Sequence, residues 1–139
     1  MTYLIACVSR KVGYPAQAQY LYSSDLLLKA RKFVGKNPWF ILSAKYGLVP
    51  PRRIIAPYKK TLLHMSREDR KKWSEGVLTD IKKNIPISET LVVLAEVHYR
   101  EFLVPALESF GYSVKVPMVG LPLGKQLQWL ARRGPTVQG

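Results

Sequence analysis

Strand-like and helix-like segments alternate along this chain, and that order predicts a three-layer α/β fold: a mostly parallel central sheet of about four strands flanked by helices. Two further observations support it. The chain has 139 residues, 47% of them hydrophobic and 22% charged, which suits one globular domain with a real core. It shows no internal repeat and no low-complexity linker, so residues 1–139 read as a single unit, with 134–139 as a loose tail.

The elements follow in order. "TYLIACV", from Thr2 to Val8, is short, apolar and partly β-branched, and it runs into the polar "SRKVGYPAQ"; it reads as a buried strand delivering its carboxyl end to a loop. "SSDLLLKARKFVGKN" offers Ser23 or Ser24 as a cap, Asp25 as a first-turn acid and Gly35 as a stop, the signals of a helix. "PWFILSA" is a second strand, and the proline-rich "YGLVPPRRIIAPYKK" after it reads as a long irregular connection. From Ser66 the pattern is helical again to Asn84: Ser66 and Asp69 form a short-acid capping box, and Trp73, Val77, Leu78 and Ile81 make one apolar stripe. "TLVVLAE" (Thr90 to Glu96) is a third buried strand, followed by a helix from about His98 to Phe110 that Gly111 ends. "YSVKVPMV" reads as another strand and "PLGKQLQWLARR" as a last short helix.

Charge narrows the partners. Lys and Arg number 22 against 9 Asp and Glu, a formal net charge of +13, so a polyanion is the expected partner and nucleic acid the commonest one. A cationic surface kept for solubility is the simpler alternative. No apolar stretch approaches the roughly 18 residues of a spanning helix, so no membrane partner is expected. The single cysteine, Cys7, rules out an internal disulfide and fits a reducing compartment, while the start "MTYLIACVSRK" lacks a basic region ahead of its apolar run and does not read as a signal peptide. The expected location is the cytoplasm. The oligomeric state is open, with a monomer favoured.

In a doubly wound sheet, ligands bind outside the carboxyl ends of the strands. Three segments arrive there: "CVSRK", "SAKYG" and "AEVHY". They place Lys11, then Ser43, Lys45 and Tyr46 with the permissive Gly47, then Glu96 at one expected cleft. No metal is expected, because one cysteine and two distant histidines, His64 and His98, give no ligand spacing. No cofactor is expected either, since neither GxGxxG nor a P-loop occurs. Cys7 inside an apolar strand reads as a small buried hydrophobe. Of the nine carboxylates only Asp25 and Glu96 stand where chemistry is expected; Asp25 also suits a helix dipole. Lys11 and Lys45 are the alternative reactive groups, each equally suited to holding a phosphate.

"ACVSRK", "LYSSDLLLKAR", "ILSAKYGLVPP", "IAPYKKTL" and "GLPLGKQLQWL" occur in an order that resembles a family of small α/β domains, DUF6884-like, related to the YaaA-type peroxide-stress proteins. "ACVSRK" also resembles the opening of the archaeosine synthase core domain, at Cys7 and Lys11. The resemblance implies a nucleic-acid base as ligand and carries functional roles onto Lys11, Tyr22, Ser24, Ser43, Tyr46 and Tyr58, with Tyr22, Ser24 and Tyr58 as base-binding residues. Related sequences often read Ala-Gly where this chain has Ala95-Glu96.

Together these readings predict a DNA glycosylase-like enzyme, DNA being favoured over RNA, with a flipped base stacked on tyrosines. Asp25 or Glu96 would stabilise the sugar cation or activate water and Ser43 or Tyr46 would donate to the departing base; alternatively Lys11 or Lys45 attacks the sugar. Arg10, Arg52, Arg53, Lys59, Lys60, Arg67, Arg70 and Lys71 are the candidates for the phosphate backbone. A non-catalytic DNA-binding module and a transferase acting on an RNA base or nucleoside remain the alternatives.

Overall fold

The computed structural model of the chain describes residues 1–6, 13–21 and 25–117. Its centre is β1 (Thr2–Ala6), every residue of which is buried. β1 pairs in parallel with β3 (Trp39–Ser43) on one side and with β6 (Thr90–Leu94) on the other, and β7 (Ser113–Lys115) extends the sheet in parallel beyond β6. The order β4-β3-β1-β6-β7 makes a five-stranded, mostly parallel sheet, one strand more than the sequence pattern predicts.

The extra strand is β4 (Gly47–Val49), antiparallel to β3, with Ser43 opposite Gly47 and Ile41 opposite Val49. It lies inside the segment expected to be irregular. Gly47 adopts φ 73°, a left-handed conformation that a side-chain-bearing residue rarely takes, and this lets the chain reverse over Ala44 to Tyr46 and lay the buried Leu48 and Val49 against the sheet. The same connection holds β5 (Ile54–Ile55), which pairs antiparallel with β2 (Ala16–Gln17). α1 (Ala18–Leu21) follows β2, and its first amides donate to the carbonyls of Arg53 and Pro51 at 2.7 and 2.8 Å.

Side chains of adjacent strand residues face opposite ways, and the core divides accordingly. Tyr3 and Ile5 meet Leu21, Leu27, Ala30 and Val34 from α1 and α2 (Asp25–Val34) on one face. Leu4 and Ala6 meet Val77 and Ile81 of α3 (Arg67–Asn84) and Leu103 and Leu107 of α5 (Leu103–Phe110) on the other. This is the expected three-layer arrangement. α3 begins as predicted: Ser66 is the N-cap, its Oγ accepting the Asp69 amide at 3.1 Å, and Glu68 and Asp69 open the helix while Lys82 and Lys83 close it, each favourable to the helix dipole.

The single helix expected from His98 to Phe110 is instead two, α4 (Val97–Arg100) and α5. Pro105 explains the break. Inside one continuous helix its ring would clash with the Glu101 carbonyl and leave that group without an amide, whereas in the first turn of α5 a missing N–H is harmless. Gly111 ends α5 as expected, at φ 120°, its amide reaching the Leu107 and Glu108 carbonyls. The expected strand 2–8 is described to Ala6, and β6 ends at Leu94, because Ala95 and Glu96 leave the sheet to start α4. The predicted last helix lies outside the described residues.

Candidate functional site

β3 and β6 flank β1, so their carboxyl ends stand two strand spacings apart, about 10 Å. Ser43 is the last residue of β3 and is fully buried. Its Oγ is hydrogen-bonded to Tyr58 Oη at 2.8 Å and accepts the Tyr46 amide at 3.0 Å, while its carbonyl accepts the Trp73 indole N–H at 2.9 Å. The expected base-facing hydroxyl is therefore a latch of the β3–β4 turn. It holds the Tyr46 backbone and the Tyr58 hydroxyl.

Tyr46 is half-buried and is the aromatic centre of this end. Its ring stands edge-on to Tyr58, centroids 5.7 Å apart at 79°, with Lys45 Nζ and Arg53 Cζ at 5.3 and 5.5 Å from its centroid. Two exposed cations beside one ring make a surface that suits both a base face and a phosphate. Tyr58, packed against both core clusters, supports it from the end of the sheet.

Across β1, Glu96 is the N-cap of α4. Its Oε1 accepts the His98 amide at 3.0 Å and its Oε2 contacts His98 Nδ1 at 2.8 Å, with 30% of the Glu96 side chain and 34% of the His98 side chain exposed. A carboxylate on Nδ1 favours the tautomer that carries its proton there, which leaves Nε2 as the acceptor nitrogen. The sequence reading weighs His98 only as a metal ligand, whereas the spacing Glu-x-His at a strand-to-helix exit is the signal for this pair.

Tyr99, in α4, is 2% exposed and stacks edge-on with Trp73 of α3 at 5.5 Å. Burial pushes its pKa far above the usual tyrosine value, and the negative charges that Tyr58 and Glu96 can carry act in the same direction.

Of the sequence candidates, Ser43, Lys45, Tyr46, Tyr58 and Glu96 come together here. Arg10, Lys11, Tyr22, Ser24, Cys7 and the Asp25 side chain lie outside what the structure describes, although the Asp25 backbone opens α2 as expected. Arg52, Arg53, Lys59, Lys60, Arg67 and Lys71 are exposed. Arg70 differs: its Nε meets Glu101 at 2.6 Å, its Nη1 donates to the Met65 carbonyl at 2.7 Å, and only 17% of the side chain is exposed. Its charge is neutralised within the fold, which ties α3 to the break between α4 and α5 and removes it from the phosphate candidates.

Among the described residues no group of three or more His, Cys, Asp or Glu is placed to hold a metal ion, and no helix is long and apolar enough to cross a membrane. Fold and site together define a mixed α/β domain with a cationic, aromatic turn and a carboxylate–imidazole pair at the carboxyl edge of its parallel strands. The chain belongs to the DUF6884 family, a family of unknown function whose model matches residues 2–132. No match was found among curated proteins or among solved structures.

Proposed function

We propose that this domain binds nucleic acid and excises a damaged or modified base in the manner of a DNA glycosylase. The observation that carries the reading is the Glu96–His98 pair beyond the carboxyl end of β6 and the Lys45, Tyr46 and Arg53 cluster at the carboxyl end of β3, two strands that both flank β1. The likeness of "ILSAKYGLVPP" and "PYKKTL" to YaaA-type proteins, and the net charge of +13, support nucleic acid as the ligand.

Cleavage of an N-glycosidic bond develops positive charge on the sugar and negative charge on the leaving base. Tyr46 stacks the extruded base, Arg53 holds a neighbouring phosphate, and Lys45 donates to the base as the C–N bond breaks and its electron pair moves onto the base nitrogen. His98 Nε2 takes a proton from the water that attacks the sugar carbon, and Glu96 stabilises the imidazolium that forms. The proton passed to the base comes from Lys45, so charge balances within the site.

The test is incubation with duplex oligonucleotides that each carry one modified base, followed by alkali to reveal abasic sites and by borohydride to trap a lysine adduct. Cleavage of one substrate is expected, with His98→Asn slowing it by about 10²- to 10⁴-fold at unchanged binding. A trapped adduct would move the chemistry to Lys45 or Lys11. A second reading, a DNA-binding module without chemistry, is favoured by Ser43 and Glu96 already being engaged in the turn and the helix cap. Uniform binding with no cleavage on any substrate would establish it and overturn the first.

A further inference from the structure

Two clefts, of about 410 and about 490 Å³, open near the amino end of β3, away from the strand ends described above, and both are lined by Gln19 and Trp39. Because they share these two residues, we treat them as the two halves of one groove. Arg52 lines the first half, beside Pro50 and Pro51, and Arg31 and Lys32 line the second. Arg31 is braced by Tyr20, its Cζ 4.9 Å from the ring centroid. Among the described residues no carboxylate lines either half, and no Asp or Glu occurs anywhere from residue 26 to residue 67.

Trp39 is half-buried with its outer part in the groove, and among the described residues its indole N–H has no hydrogen-bond partner. Trp73, half-buried likewise, donates to the Ser43 carbonyl. We infer that this groove is a second binding site, for single-stranded nucleic acid, in which a base stacks on Trp39 and the backbone phosphates lie on Arg31, Lys32 and Arg52. The occupant follows from the chemistry. A tryptophan set between walls can meet a base face only when the base is unstacked from its neighbours, which a duplex does not offer. The neighbouring arginines Arg52 and Arg53 then serve two ends of β3, which spans about 13 Å between Trp39 and Ser43. The inference goes beyond the excision reading, because a strand-holding groove does not depend on any chemistry at Glu96 and His98.

The test uses the full chain and fluorescein-labelled oligothymidylate, read by anisotropy across a salt series and by tryptophan emission. Oligothymidylate is expected to quench the tryptophan signal, and Trp39→Phe to remove that component. The double variant Lys32→Gln/Arg52→Gln changes two exposed side chains and should keep its melting temperature. Losing two single-strand phosphate contacts lowers the slope of log affinity against log salt by about 1.4 and weakens binding at 0.1 M salt on the order of 20-fold. An unchanged slope, or displacement of the oligonucleotide by polyglutamate as readily as by unlabelled oligothymidylate, would overturn the inference. Lys45→Gln assayed in parallel on a cleavable modified duplex separates the two readings: loss of cleavage there with oligothymidylate binding intact in the groove variants sinks the groove alone.

Discussion

Ser43 shows how far one side chain's role depends on burial. Its hydroxyl has no access to water, so no solvent can replace it if it is removed. Ser43→Ala would take the acceptor from the Tyr46 amide and break the bond to the Tyr58 hydroxyl, and the expected cost is about 1–3 kcal/mol, a large share of the roughly 5–15 kcal/mol that holds a domain together. Urea unfolding checks it: the midpoint should fall while the denaturant slope stays the same. A hydroxyl that met a base would behave otherwise, with ligand binding lost and the midpoint unchanged. Glu96 follows the same logic. Its place at a strand end was legible, but its capping role was not, because that depends on α4 starting at Val97 and on the direction of the His98 amide. The Arg70–Glu101 pair was equally hidden: the two residues lie 31 positions apart, and only the packing of α3 beside α4 brings them to 2.6 Å.

The elements that the sequence made plain were those with a long pattern. β1, β3 and β6 are apolar runs, and α3 carries its serine cap, its acidic first turn and its apolar stripe. β4 had no such pattern, being three residues long and followed by Pro50 and Pro51, and its existence rests on the turn geometry at Gly47. That dependence is measurable. A Cβ at Gly47 would have room, its nearest neighbours being Val77 Cγ2 at 3.7 Å and Asp80 Oδ2 at 3.8 Å, so only the left-handed backbone penalises it. Gly47→Ala should therefore destabilise by about 1–2 kcal/mol, and Gly47→Asn by less, since asparagine tolerates this conformation better. Thermal unfolding of the pair decides it, and equal losses in both would point to crowding instead of φ. Pro105 offers the matching lesson for helices: one proline in an otherwise helical stretch was enough to divide it, and reading it as a boundary would have placed α5 correctly.

For the whole molecule, charge is distributed unevenly: residues 1–67 hold 12 of the 22 cations and one of the nine acids. The convergence of strand ends on one site was legible from the alternation of elements alone, because parallel strands must all present their carboxyl ends on the same side. The packing beneath that site was not, since Tyr99 and Trp73 meet only where α4 packs beside α3. Its consequence is a stability that depends on alkaline pH. Tyr99 and Tyr112 are both buried, at 2% and 4% exposure, and burial raises the pKa of each above the ordinary tyrosine value. In the unfolded chain both titrate near pH 10. Below that pH neither state has lost a proton, and their contribution is fully present. Above it the unfolded state releases protons that the folded state retains, so stability falls as pH rises toward the folded values. Lysine deprotonation over the same range lessens the repulsion within a chain of net charge +13, which acts in the opposite direction. The tyrosine effect is therefore isolated by comparison with a Tyr112→Phe variant, which lacks the titrating hydroxyl that reaches the Ile85 carbonyl at 2.6 Å. Unfolding free energies measured from pH 8 to about 11 should decline more steeply in the parent than in the variant. Parallel curves would show that Tyr112 titrates alike in both states and that its burial does not govern the alkaline limit.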